Sequence, residues 1–205
     1  MGIIDLSGQQ LLYGVFAMVW IVATHGLFVA LFARLLGERG PAYDGHLTLN
    51  PLTHGDPIGV LALIVTPFGW IRLPRLDPKE TRGGVLGILA VILLSLAATL
   101  ALAAVLFALR PLIYSMLSGS IMGLTLIGLA ETAARKSVTF ALFNLLPVLP
   151  LTAGLIWAGL APALYEAMAR HVRWIGIALA VLILTGVPTM LLGGPASVVQ
   201  GWLSP

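Results

Sequence analysis

The segment of residues 45–78 constrains the fold of this chain more than any other part of the sequence. It contains five prolines and four glycines, yet its middle, residues 58–71, is almost wholly apolar. A residue that precedes proline is pushed away from the helical region, so the segment cannot form one straight helix. Its apolar run is too short to span a bilayer and is typical of a re-entrant or interfacial element. Irregular backbone at membrane depth persists only where protein or a water-filled cavity satisfies its polar groups, so we expect the rest of the chain to surround this segment.

The composition is that of a polytopic membrane protein. Of the 205 residues, 59% are hydrophobic and only 9% are charged, whereas soluble domains carry about 25% charged residues. The net charge of +3 is spread along the chain without a basic run, so nothing indicates nucleic-acid binding. Cysteine is absent, which excludes disulfides, thiolate metal sites and cysteine nucleophiles. The function is therefore expected to be carried out in or at the lipid bilayer.

The apolar runs predict an all-α integral membrane protein, a bundle of about five transmembrane helices with a Pro/Gly-rich membrane-embedded hairpin. The predicted spans cover residues 11–36, 84–109, 112–130, 137–160 and 174–192, within a single domain of residues 1–205. Arg110 and Pro111 are predicted to end the second span, and the polar residues 131–136 to form a turn. Pro147 and Pro150 each remove a backbone donor, so the fourth span is predicted to unwind near its centre. The N-terminal residues carry no basic group and are expected to be the true start rather than a signal peptide.

The distribution of basic residues predicts an orientation. Five spans place the loop of residues 37–83, the 131–136 turn and the C-terminus on one side of the membrane. That side carries eight basic residues: Arg34, Arg39, Arg72, Arg75, Lys79, Arg82, Arg135 and Lys136. The other side carries three, Arg110, Arg170 and Arg173. The excess predicts that the first side is cytoplasmic, with the N-terminus outside and the C-terminus inside.

Small residues in the third predicted span suggest a packing surface. Ser115, Gly119 and Gly123 follow one another at steps of four on an otherwise bulky span. Small residues at this spacing form a flat stripe on which a second helix can pack closely. Glycine is also common in membrane helices for other reasons. We expect the three residues to face a helix of this protein or of a partner.

His25 is the only ionisable residue deep in the first span, which makes it a candidate functional residue. The alternative is a neutral imidazole that is hydrogen-bonded to a neighbouring helix or to the backbone of residues 45–78. A metal site on a helix needs a second ligand one turn away. Val29 occupies that position and cannot bind a metal. The residue after His25 is Gly26, which cannot act as a base.

His54 and Asp56 lie two residues apart in the loop LTHGDPIG. Together they could share a metal, or the carboxylate could orient the imidazole. The alternative is that Asp56 caps a turn before Pro57 while His54 faces a headgroup or a neighbouring loop. Asn50, which precedes Pro51, is a turn former by the same logic.

Two longer motifs carry a family resemblance. Residues 45–59 and 68–78 are similar to GRLTLNPLxHIDPxG and FGWAKPVPVNP, and residues 144–151, NLLPVLPL, are similar to NLLPxPPLDGG. These motifs resemble those of the site-2 proteases, the intramembrane zinc metalloproteases, and most of all the small group that lacks an added periplasmic domain. The resemblance implies a hairpin or sheet beside the active site. The residues to which it gives a structural role are Asn50, Pro51, His54, Asp56, Pro57, Gly59, Asn144, Pro147 and Pro150.

The chain departs from this family at the catalytic positions. The family's first zinc ligand corresponds to His25, but its general base falls on Gly26 and its second histidine on Val29, or on Ala30 in the family's longer spacing. The third ligand, an aspartate, falls on Thr152. A catalytic zinc needs three protein ligands and a base for its water. The resemblance thus implies a remnant site of His25 and Thr152 without catalytic residues, metal or cofactor.

The expected function is therefore binding. We expect a degenerate homologue in the bacterial inner membrane that acts as an accessory subunit against the transmembrane helices of a hetero-oligomeric complex, or that holds a single-span client. One alternative is a proton or ion channel or carrier in which His25, Asp56 and Thr152 line a hydrophilic path. Another is an intramembrane metalloprotease with non-standard ligands. Co-purifying partners and a flux assay distinguish these classes.

Overall fold

The computed structural model describes residues 7–204, and this part of the chain is almost entirely helical. Its helices are α1 (Gly8–Leu35), α2 (Gly40–Tyr43), α3 (Pro51–His54), α4 (Pro57–Val65), α5 (Val85–Leu117), α6 (Ile121–Phe143), a 3-10 helix (Thr152–Ile156), α7 (Trp157–Leu160), α8 (Pro162–Arg170), α9 (Val172–Leu184) and α10 (Val187–Leu203). No strand forms among these residues, and one isolated antiparallel bridge joins Gly55 and Ile71. The first six residues, to which the prediction of a true N-terminus applies, lie outside the described range.

The all-helical class is confirmed, whereas the five-helix count is not. Two helices, α1 and α5, are long and apolar enough to cross a membrane. A third candidate is the pair α8 and α9, which is bent by 75° at its break. The described residues therefore offer two or three candidate spans.

The predicted break at residues 110–111 and the predicted turn at residues 131–136 are both wrong. Helix α5 continues through Pro111 to Leu117, because a membrane helix accommodates a proline near its end when local adjustment satisfies the freed backbone carbonyl. Helix α6 passes through the polar residues without interruption. Glu131 and Arg135 form an ion pair of 2.7 Å one turn apart, and such a pair supports a helix.

The fourth and fifth predicted spans have different outcomes. The predicted unwinding of the fourth is confirmed, because α6 ends at Phe143 and the chain is not α-helical again until Trp157. The fifth does not end at residue 192. The chain turns at Gly186, whose φ of 77° is left-handed, and α10 then runs to Leu203.

Ser115, Gly119 and Gly123 do not form a stripe on one helix. Ser115 belongs to α5, and Gly119 lies in the following turn with a φ of 77°. Gly123 lies in α6, where an added side chain would collide with the carbonyl of Leu117. The close helix packing uses alanines instead, which let backbones approach. The buried alanines of α1, α5 and α6 in one apolar cluster are Ala17, Ala103, Ala130, Ala133 and Ala134.

The packing also alters the basis of the predicted orientation. Glu166 of α8 lines the same cavity as Glu80, so α8 lies beside the 37–83 loop and not across the membrane from it. Val199 and Leu203 near the end of α10 pack in the same cluster as Ala17 near the start of α1. The expected separation of the two termini is therefore not supported by the packing.

Residues 45–78 are only partly surrounded by the rest of the chain, contrary to expectation, since Leu52 is 83% and Leu61 66% exposed. Asn50 and Asp56 cap α3 and α4, each of which begins with a proline. The extended stretch after α4 is buried, with Phe68 at 2% and Trp70 at 1% exposure. Lys136 of α6 donates to the carbonyls of Leu63 and Ile64 at 2.7 and 2.8 Å, which satisfies the C-terminal end of α4.

Candidate functional site

His25 lies fully buried between α5, α6 and the 3-10 helix. Its Nδ1 is 2.9 Å from Thr99 Oγ1, and its Nε2 is 2.9 Å from Thr152 Oγ1. The ring packs edge-on against Phe140 with a centroid distance of 5.0 Å. The structure thus brings together His25 and Thr152, which the family resemblance assigns to zinc-ligand positions.

Two threonine hydroxyls contact the ring nitrogens of His25. The hydroxyl of Thr99 donates to the carbonyl of Ser95 at 2.9 Å, so it accepts from Nδ1–H of His25. Nε2 lies 2.9 Å from Thr152 Oγ1, and the hydroxyl of Thr152 also has Asn144 Oδ1 as an acceptor at 3.2 Å. Both ring nitrogens therefore have hydrogen-bond partners. These partners are side chains of α5 and the 3-10 helix, not the backbone of residues 45–78.

Asn144 joins three parts of the structure at the end of α6. Its Nδ2 donates to the carbonyls of Gly69 and Phe140, both at 3.0 Å. Its Oδ1 accepts from the backbone N–H of Thr152 at 3.1 Å. This amide therefore holds Thr152 against His25. Pro147 lies in the following loop, where its carbonyl accepts from Trp157 Nε1 at 2.6 Å.

Asn144→Leu is expected to lower the free energy of unfolding by about 2–4 kcal/mol, because it leaves buried backbone groups without partners. Unfolding in mixed micelles, followed by tryptophan fluorescence, measures this loss. Asn50→Ala is the control, since it removes one exposed helix cap worth about 1 kcal/mol. Equal stability of Asn144→Leu and the parent protein would contradict the assigned role.

Gly26 is in contact with the ring of His54. A Cβ atom at residue 26 would collide with this ring, which is fully buried. Nε2 of His54 is 3.0 Å from the carbonyl of Thr48, so His54 faces a neighbouring loop. Burial lowers the pKa of the His54 imidazole, which favours its neutral form. Gly26 therefore stands at the position that corresponds to the family's general base, and the ring of His54 packs over it.

His54 and Asp56 do not form a joint metal site. Asp56 Oδ1 accepts from the backbone N–H groups of Ile58 and Gly59 at 3.1 and 3.0 Å. It also accepts from Trp70 Nε1 at 2.9 Å. The carboxylate thus caps α4 and fixes the extended stretch that follows.

The residues present do not suit a catalytic zinc. Val29 lies fully buried in an apolar cluster that also contains Leu96, Ala153 and Leu155. Among residues 7–204, no three His, Cys, Asp or Glu side chains lie close enough to hold a metal ion together. A catalytic zinc needs three protein ligands and an open position. His25 supplies one imidazole whose nitrogens are both engaged.

The sequence analysis did not predict an acidic cavity of about 450 Å³, which lies just beyond the C-terminal end of α1. Its lining includes the carboxylates of Glu38, Asp44, Asp77, Glu80 and Glu166. Glu38 is buried, and its two oxygens accept from the N–H groups of Gly40 and Asp77, both at 2.8 Å. These carboxylates come from separate parts of the chain, so no local pattern indicates that they meet.

Comparison with known proteins gives one partial similarity. The chain is 37% identical over 60 residues to the protein named "Putative zinc metalloprotease YwhC" of Bacillus subtilis (strain 168). The match covers 29% of this chain and 27% of that protein. No family model and no solved structure matches. Over this stretch, the similarity points towards a site-2-protease-like family.

Proposed function

We propose that this chain is a catalytically inactive, site-2-protease-like membrane protein whose function is binding. In this proposal it packs as an accessory subunit against the transmembrane helices of a larger complex. The partial similarity to a protein named as a putative zinc metalloprotease supports descent from a protease of this kind. The geometry around His25 supports the loss of catalysis.

The observation that carries the proposal is the closed environment of His25. Zinc hydrolases activate a water molecule at an open metal position next to a general base. Here Thr99 and Thr152 engage both imidazole nitrogens, and His54 covers Gly26 at the position of the base. These contacts leave neither a ligand set nor a base for such a water.

The scaffold around His25 supports a binding role. Asn50 and Asp56 cap their helices, and Asn144 connects α6 with residues 45–78. A protein that keeps such a scaffold and lacks the catalytic groups is expected to use its fold for recognition. The sealed hydrogen-bond network of His25 and the capping role of Asp56 also favour binding over transport.

Extraction in mild detergent and native electrophoresis test this proposal. We expect the full chain to migrate in a complex with integral membrane proteins at a fixed ratio, which quantitative mass spectrometry measures. We also expect no cleavage of reporter transmembrane substrates. Migration as a single chain with detergent would contradict the accessory role. Proton or ion flux in proteoliposomes would favour the channel or carrier instead.

We propose that the 37–83 loop faces the cytoplasm, because six basic residues lie between residues 34 and 82. The absence of cysteine allows single-cysteine labelling. Lys79→Cys, before α5, is expected to be protected from an impermeant thiol reagent in intact cells. Tyr114→Cys, near the other end of α5 and 64% exposed, is expected to react. The reverse pattern would overturn this orientation.

A further inference from the structure

Two neighbouring histidines have buried nitrogen atoms without hydrogen-bond partners. In the described residues, the buried side-chain atoms that lack a partner are Nδ1 of His46, Nδ1 of His54 and Oγ of Ser137. The rings of His46 and His54 lie side by side, with centroids 5.5 Å apart and planes inclined by 46°. Buried polar atoms are almost always hydrogen-bonded, so a pair of orphaned nitrogens in adjacent rings requires an explanation.

The hydrogen bond of His54 makes its Nδ1 a ready ligand. Nε2 lies 3.0 Å from the carbonyl of Thr48, and a carbonyl can only accept. Nε2 therefore carries the proton, and Nδ1 has a free lone pair. Metal-binding histidines are typically arranged in this way, with the second ring nitrogen donating to a carbonyl that fixes the tautomer. Gly26 holds the ring, and the N–H of Arg72 holds the carbonyl of His54 at 2.7 Å.

The spacing of the two rings suits a shared metal ion. Imidazoles bound to a tetrahedral ion at about 2.1 Å place their centroids about 5.3 Å apart. The observed centroid distance of 5.5 Å allows both rings to reach one ion. We propose that Nδ1 of His46 and Nδ1 of His54 bind one divalent transition-metal ion, such as Zn²⁺, Ni²⁺ or Cu²⁺, for which imidazole is a suitable ligand.

This site differs from the remnant site in both residues and position. His25 is engaged by Thr99 and Thr152, whereas His54 lies against Gly26 and is engaged by Thr48. With two protein ligands, the ion would be completed by water from the side of His46, which is the less buried of the two rings. It would join the loop of His46 to α3. The proposal does not depend on the accessory role proposed above.

Metal titration of the full chain in detergent tests the site. After removal of bound metal with a chelator, zinc chloride is titrated by calorimetry, and Cu²⁺ is added for electron paramagnetic resonance. We expect one Zn²⁺ per chain and a Cu²⁺ spectrum with two coupled nitrogens. His46→Ala is expected to weaken Zn²⁺ binding at least about tenfold, since even the loss of an outer-shell partner typically costs that much.

The control is His171→Ala, which removes an exposed histidine whose Nδ1 is paired with the carbonyl of Ala167. This variant is expected to bind Zn²⁺ like the parent. His46→Ala is the deciding variant, because His54→Ala also removes packing against Gly26. Absence of binding in the parent, or binding that survives His46→Ala and is lost in His25→Asn, would overturn the proposal.

Discussion

Gly26→Ala is expected to destabilise the protein by about 3 kcal/mol or more, at the upper end of the range for an overpacked core. The added methyl group would collide with the ring of His54. That ring is fully buried and tied to Thr48, so it cannot move aside without losing its hydrogen bond. Thermal unfolding in detergent, followed by tryptophan fluorescence, measures the effect.

Two variants make this result specific. Gly193→Ala adds the same methyl group to α10 where no neighbouring element lies within 4 Å, so it is expected to stabilise the protein by up to about 1 kcal/mol. Gly26→Ala combined with His54→Ala should recover part of the loss, because the colliding ring is gone. A Gly26→Ala protein as stable as the parent would show that His54 does not occupy this space.

The role of Gly26 illustrates what the sequence could not predict. The resemblance identified Gly26 only as a missing base, since its contact with His54 depends on how α3 packs against α1. Predictions that rest on neighbouring residues were more successful. Asp56 caps α4 as expected of an aspartate before proline. Pro111 was misleading, because a membrane helix accommodates a proline when local adjustment satisfies the freed backbone carbonyl.

The candidate site was only partly predictable. His25 and Thr152 are separated widely in sequence, and only the two resemblance motifs indicated that they would meet. Thr99 was missed as their partner, although it is one of few polar side chains in an apolar span. Such a hydroxyl inside a membrane helix signals a hydrogen bond to another element. The acidic cavity could not be predicted, because no local sequence pattern shows that Glu38 is buried.

Restoration of the zinc ligands is expected to produce the largest gain of function in this chain. Val29→His and Thr152→Asp, combined with Gly26→Glu, would supply a second imidazole, a carboxylate and a base beside His25. His54→Ala must accompany them, because His54 covers residue 26. His46→Ala removes the other proposed metal site. This variant should bind one Zn²⁺ per chain tightly enough to survive gel filtration.

The structure favours Val29 over Ala30 as the second ligand position. Val29 lies four residues after His25 and shares an apolar cluster with Ala153, the neighbour of Thr152. Ala30 is also buried, but it points to a different side of α1, because one residue rotates the helix by about 100°. A variant with Ala30→His in place of Val29→His is therefore expected to bind Zn²⁺ more weakly.

Elemental analysis and calorimetry of the folded variants provide the measurement. Adding His25→Asn to the Zn²⁺-binding variant should abolish binding, since it removes the one ligand that the chain retains. The parent protein is expected to hold no Zn²⁺ that depends on His25. If both the Val29→His and Ala30→His variants fold and neither binds Zn²⁺, the correspondence of residues 25–29 and 152 with the protease ligands is wrong. The inactive-protease proposal would then lose its main support, whereas the His46 and His54 site would be unaffected.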